Sequence, residues 1–323
     1  MHKLRTLITL LLVALGAAPA AALAQAWPAK PISLVVGSEP GSAPDVYARA
    51  VAEPMSRLLG QPVIVVNRTG ANGNIAAEWV AKAPADGYAL WVTSQSQSEI
   101  NPSAYSNLPW KPADFTGVIK GVESPLVLVT HPSVPAKTLA ELTAWIKANP
   151  GKVSYASFSP GTLSHFLGHK LNEQFGLDMT HVTFRGSGPQ VQSLLGGHVP
   201  LGFSQIQTGL PHIQSGKFNA IATTSATRWR QLPAVPTFAE LGYPTVESET
   251  WVGLFAPAGT PRDVVDKVAQ ALDRALREQS VVDLLRQQGA EPHFMGPEAF
   301  ARYVDSEIAR WGGIVRAASI KLD

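Results

Sequence analysis

Short, continuous apolar runs punctuate the chain at residues 32–36, 63–67, 89–93, 126–130, 153–157, 181–184, 199–203 and 220–224. Runs of this length without polar alternation predict strands buried on both faces, as in largely parallel sheets. Helical stretches lie between them, which implies repeated βαβ units. Several helix starts carry signals. Ser42-Ala43-Pro44-Asp45, Thr138-Leu139-Ala140-Glu141 and Ser187-Gly188-Pro189-Gln190 have the form of capping boxes. Thr260-Pro261-Arg262-Asp263 opens a long helix with proline at its first position. Its apolar stripe is Val264, Val265, Val268, Leu272 and Ala275, and a last helix from Pro297 repeats the pattern through Phe300, Val304, Ile308 and Trp311.

At 323 residues the chain is long enough for two domains. Its first 24 residues read as a leader outside the fold. Lys3 and Arg5 are followed by an apolar run from Leu7 to Ala18 and then Ala22-Leu23-Ala24, the order of a cleaved signal peptide. We expect cleavage after Ala24 and export to the periplasm. No cysteine is present to carry a lipid anchor. The whole chain has 26 Lys and Arg against 24 Asp and Glu, and loss of Lys3 and Arg5 leaves 24 of each sign. Such a balance gives no pull toward nucleic acid.

No low-complexity linker separates two halves, so ordered crossings must join them. Ser124-Pro125-Leu126-Val127-Leu128-Val129 and Trp251-Val252-Gly253-Leu254-Phe255-Ala256 have that character. Domain one is expected to cover 25–126 plus 253–323, and domain two 127–252.

Candidate chemistry concentrates where strands end and helices begin. The loop Ser38, Glu39, Pro40, Gly41, Ser42 follows the first apolar run and meets a helix start. Free N–H groups and the helix dipole bind a carboxylate there without a Lys or Arg. Glu39 either points outward or meets a ligand amine, hydroxyl or ring nitrogen. Ser159, Pro160, Gly161 and Thr162 form a second loop of the same kind. Thr93, Ser94 and Gln95 open a polar stretch after a third strand, and Ser204 with Gln205 follow a fourth. Arg68, in the Gly/Asn-rich turn 67–73, either reaches an anion or braces the turn through carbonyls. His165, His169 and Glu173 share a helix face but lack a fourth ligand, so packing is the expected role. The sequence has no G-x-S-x-G, G-x-G-x-x-G, P-loop or cysteine nucleophile.

The chain resembles the Bug-type solute receptors of tripartite tricarboxylate transporters. The match begins at Trp27-Pro28-Ala29-Lys30-Pro31-Ile32 and includes Asn67-Arg68-x-Gly70-Ala71 and Asp86-Gly87-Tyr88. It continues through Asn149-Pro150-Gly151-Lys152, Gly161-x-x-x-His165 and Ala256-Pro257-Ala258-Gly259-Thr260-Pro261. The resemblance implies a two-lobed α/β type II periplasmic binding fold, each lobe a mainly parallel sheet flanked by helices, joined by two crossover strands. It also implies a receptor rather than an enzyme, closing on a small carboxylate with the 38–42 and 159–162 loops. That receptor would be monomeric, without metal or cofactor, and would hand its ligand to inner-membrane permease subunits. A signalling receptor of the same fold and a periplasmic hydrolase are the alternatives. The family's first loop usually reads Pro-Phe-Pro-Pro-Gly-Gly; here it is Gly37-Ser38-Glu39-Pro40-Gly41-Ser42, and Ser204 replaces a common Asp. Substrate identity therefore does not transfer.

Overall fold

The first three apolar runs form β1 (Ile32–Val36), β2 (Val63–Asn67) and β3 (Ala89–Ser94) in the computed structural model, which describes residues 27–318 and 321–322. The expected leader and its cleavage after Ala24 lie outside the described residues. Helices α1 (Ala43–Leu59) and α2 (Asn74–Ala81) link these strands. β1 pairs in parallel with both β2 and β3.

The run at 126–130 is the end of a much longer strand, β4 (Phe115–Thr130). Its first half contains Gly117, Lys120 and Gly121, which mask the apolar signal. A second unit follows: α3 (Leu139–Lys147), β5 (Ser154–Ser157), α4 (Leu163–Phe175), β6 (Thr180–Thr183), α5 (Ser187–Leu195), β7 (Leu201–Gln205), α6 (Ile206–Gln214) and β8 (Asn219–Thr223). The chain returns through β9 (Glu249–Pro257), α7 (Arg262–Leu276), α8 (Gln279–Gln287), β10 (Glu291–Met295) and α9 (Pro297–Ala318). β10 has half-exposed, non-alternating residues and gave no sequence signal.

One lobe has the strand order β2-β1-β3-β9-β4-β10, and the other β8-β4-β7-β5-β6. β4 belongs to both, pairing with β9 from Phe115 to Pro125 and with β7 from Leu126 to Thr130. Each sheet is packed on both faces. In the first lobe, α1 and α7 bury Val51, Met55, Val268 and Leu272 against one face. Trp91, Trp110, Trp251, Phe255 and Phe300 fill the other. In the second lobe, α3 and α4 supply Leu142, Leu167 and Leu171 to one cluster, and Val191, Leu194 and Ile206 form the opposite one. Helix α9 spans both: Phe300 and Val304 pack in the first lobe, Trp311 and Val315 in the second.

Of the three expected capping boxes, only Thr138 and Glu141 form one. Ser42 caps α1 by backbone alone, because its hydroxyl turns to Ser38. α5 starts after Gly186, and Gln190 instead donates to the carbonyls of Ala156 and Phe203, 3.0 Å each. Pro261 occupies the cap of α7, one position earlier than expected.

Candidate ligand-binding cleft

Strand direction places the site. β3 and β4 are both antiparallel to β9, so β4 runs parallel to β1, β2 and β3. The C-terminal ends of these strands therefore point along β4 toward the second lobe. There β7 is antiparallel to β4 and parallel to β5, which is parallel to β6. Their C-terminal ends point back at the first lobe. Ser94 of β3 aligns with Val252 and through it with Val122 of β4, whereas Gln205 of β7 aligns with Leu126. Four steps along β4 separate these levels, roughly 13 Å at about 3.3 Å per residue. The four candidate loops thus converge on one cleft, floored by β4 and β9.

In the first lobe, Asp45 organises the wall. Its carboxylate is 2% exposed and accepts from Gly41 N–H at 2.9 Å, Arg49 Nε at 3.0 Å and Asn67 Nδ2 at 2.9 Å. Burial pushes the carboxyl up, but the hydrogen bonds from Arg49, Gly41 and Asn67 outweigh it and hold it below its ordinary value. Asn67 Nδ2 also donates to the Ser38 carbonyl at 3.1 Å, which ties β2 to the loop. Gly41 has φ +83°, a conformation that suits glycine. Its N–H is committed to Asp45; among the described residues no acceptor takes the Ala43 and Asp45 N–H groups of α1, and the Ser38 hydroxyl, which accepts from Ser42 Oγ, keeps its own proton free. Glu39 and Pro40 are exposed, and the Glu39 carbonyl accepts from Ser42 N–H.

The second lobe repeats the device with different chemistry. Gly161 has φ +68°, and its N–H donates to His165 Nδ1 at 3.2 Å, again four residues on. His165 stacks on His181 with centroids 3.8 Å apart, and His181 stacks on Tyr155. Burial, then the neighbouring histidines, hold His165 down at about 3, so it remains a neutral acceptor. Ser157 Oγ lies 2.7 Å from His181 Nε2 and donates to the Ser159 carbonyl. Thr162 Oγ1 donates to that same carbonyl at 2.7 Å. No described residue accepts from the Leu163 or Ser164 N–H groups at the start of α4. Leu322 packs directly on Gly161, and its N–H donates to the Ala104 carbonyl.

The other candidates are polar, and Thr93, Gln95 and Ser204 among them are buried. Thr93 is fully buried and donates to Gln97 Oε1 at 3.0 Å. Ser94 is half-buried at the rim and accepts from Ser98 Oγ. Gln95 is 1% exposed, and its Oε1 has no partner among the described residues. The stretch expected as a loop after β3 is helical over residues 96–104. Ser204 is buried beside Gly209, while the Gln205 carbonyl receives Ser204 Oγ and Thr208 Oγ1. Among the described residues the Arg68 side chain braces no carbonyl; its guanidinium lies 4.4 Å over the Trp79 ring. Residue-by-residue reading missed His181, whose signal, a lone His on a short strand, is weak. It also missed the cluster of Asn72, Asn74 and Asn101, linked at 2.8–3.1 Å. Among the described residues no group of His, Cys, Asp or Glu could hold a metal.

Two α/β lobes, joined by crossover strands and opposing helix N-termini across a cleft, define a solute-binding protein of the periplasmic type II architecture. Comparison with known proteins narrows this. Residues 47–320 match the model of the tripartite tricarboxylate transporter family receptor. Protein BugT of Bordetella pertussis is 37% identical over 325 residues, covering 100% of this chain and 99% of BugT. The structure of R. palustris Rpa4515 with adipate superposes with TM-score 0.83 at 33% identity, covering 91% and 99% of the two chains. MatC (Rpa3494) from Rhodopseudomonas palustris with bound malate gives TM-score 0.79 at 32% identity, covering 90% and 100%. The chain belongs to the tripartite tricarboxylate transporter receptor family, whose Bug-type members are periplasmic solute-binding proteins.

Proposed function

We propose that the protein captures a small mono- or dicarboxylate between its lobes in the periplasm and delivers it to the membrane subunits of its transporter. The observation that carries this reading is the pair of facing helix starts, α1 and α4, each with uncommitted N–H groups beside hydroxyls. Such donors stabilise a carboxylate through N–H bonds and the helix dipole. Adipate and malate, bound by similar proteins, support a dicarboxylate, one carboxylate for each lobe.

Binding without turnover fits the same geometry. Ser157 and His181 form the one Ser–His contact near the cleft among the described residues. Ser157 is fully buried, and its hydroxyl proton goes to the Ser159 carbonyl. No substrate carbonyl can approach it, so the pair anchors a loop.

A thermal-shift screen against C4–C6 diacids, citrate, acidic amino acids, benzoate, terephthalate and nicotinate tests the reading. A true ligand at 100 times its Kd should add about 2.7 kcal/mol of stability. Ser42→Leu and Thr162→Leu should each weaken the hit at least tenfold by calorimetry, the loss of about 1.4 kcal/mol. A panel without a single shift, repeated after unfolding and refolding to release any trapped ligand, would sink the proposal.

A further inference from the structure

We propose that the free edge of β2, which leads at Arg68 to a groove beside α2, is a docking surface for an extended acidic segment of a partner protein, which adds to β2 as a further strand. This goes beyond carboxylate capture and does not depend on what the cleft holds.

The edge is open from Val65 onward. Among the described residues β2 ends its sheet and pairs only with β1. In that ladder Ile32 N–H donates to the Pro62 carbonyl and Arg68 N–H to the Val36 carbonyl. Residues 64 and 66 therefore turn their backbone groups toward β1, and Val65 turns its N–H and C=O outward. Val63 N–H, on the same outer side, is taken by Ser56 Oγ at 2.8 Å. No described residue takes the Val65 N–H. Edge strands are ordinarily protected by charge, proline or a bulge. This one reads Val-Ile-Val-Val-Asn and has none of them.

The face beside the edge is built for side chains. Ile64 pairs with Ser33 and is 49% exposed. Next to it, beside α2 and over β1, Ser33, Arg68, Ile75, Trp79 and Tyr88 line a concavity of about 740 Å³ that meets the β2 strand at Arg68. Ile75 and Trp79 are 47% and 38% exposed. Exposed apolar residues grouped around an arginine and a tryptophan are typical of binding hot spots. Main-chain pairing along an edge, with alternate side chains entering a groove, is a standard mode of peptide capture.

Charge selects the partner. Asp86 is held by Lys30 at 3.1 Å and Glu78 by Lys82. Among the described residues Arg68 has no carboxylate partner, and its Nε is buried without an acceptor. The uncompensated charge in the groove is thus positive, on a guanidinium already oriented by Trp79. Arg68 stands four residues beyond Ile64, so a segment of about five residues spans both, with its acidic residue at the Arg68 end.

The test uses the purified protein with two synthetic octapeptides, one alternating valine with aspartate and one alternating valine with lysine. Amide exchange at Val65 is the readout, because strand addition alone places an acceptor on that N–H. The acidic peptide should protect Val65 saturably, and the lysine peptide should not. Ile64→Glu, at an exposed position, should fold normally and lose protection; Arg68→Gln should weaken it at least about fivefold, the usual scale for one charge contact. Cleft affinity for the carboxylate ligand should be unchanged in Ile64→Glu, which separates this inference from the proposed function. Equal protection by the lysine peptide overturns it, as does no protection at millimolar acidic peptide. So does protection that rises with protein concentration alone, which would assign the edge to a second copy of the chain.

Discussion

Asp45 and His165 occupy equivalent positions, four residues after a left-handed glycine whose N–H each one holds. Asp45 brings a charge that Arg49 and Asn67 must also satisfy, so its loss strands several buried groups. Asp45→Ala should cost about 2–3 kcal/mol in urea unfolding and weaken carboxylate binding in calorimetry. The two glycines differ in their surroundings. A Cβ on Gly41 meets nothing within 4 Å, whereas one on Gly161 would fall 2.2 Å from Leu322. Gly41→Ala should cost about 1 kcal/mol, for the left-handed backbone alone. Gly161→Ala should cost clearly more, and equal losses for the two would remove Leu322 from the loop's support. The Pro-Gly pairs made both loops legible in the sequence. The residues that hold those loops were less so, because a buried aspartate and a histidine stack have no local signature.

The crossover strands carry a titratable element where the lobes join. Glu249 on β9 lies against Glu123 on β4, with Lys120 of β4 and His293 of β10 facing the pair. Burial, then the charge of Glu123, raises Glu249 to about 7. Burial also pushes Glu123 up, but hydrogen bonds from His293 and Lys120 outweigh it and hold it at about 2. Between the ordinary value of 4.5 and about 7, folded Glu249 keeps a proton that the unfolded chain has released. Stability therefore falls as pH rises through that window. Glu123 works in the opposite sense: its contribution is complete above 4.5 and is lost as pH falls toward 2. Glu249→Gln should flatten the stability profile between about pH 5 and 7 and leave the protein more stable than its parent at about pH 8. A urea series across pH checks this, and an unchanged slope would show that Glu249 does not contribute. The apolar runs of both strands were readable in the sequence, but only β4 pairs in both sheets, whereas residues 251–257 of β9 pair wholly within the first lobe; the meeting of two carboxylates between the strands was not readable, since it depends on register.

Across the whole molecule, the lobes are tied by more than two strands. Gln207 donates to Gln288 at 2.7 Å, Gln231 reaches the Arg286 carbonyl and Arg230 pairs with Glu291. Helix α9 contributes to both cores, and Trp311 lies against Phe166 in the second lobe. Trp311→Ala should cost about 3–5 kcal/mol. Because α9 is shared, unfolding should remain one transition by both fluorescence and circular dichroism. Two separated transitions would show that the lobes fold independently.

The amino-acid sequence by itself determined the βαβ rhythm, most strand positions and the strand-end loops proposed to hold the ligand. These depend on local patterning: continuous apolar runs, Pro-Gly turns and helical stripes. Tertiary structure decided which hydrogen-bond donors of those loops stay open, since Asp45 and His165 claim the Gly41 and Gly161 N–H groups. It also turned Arg68 onto Trp79, placed α9 in both lobes and left β2 with a free edge. Each of these depends on contacts between residues far apart in the chain, and no local pattern encodes them.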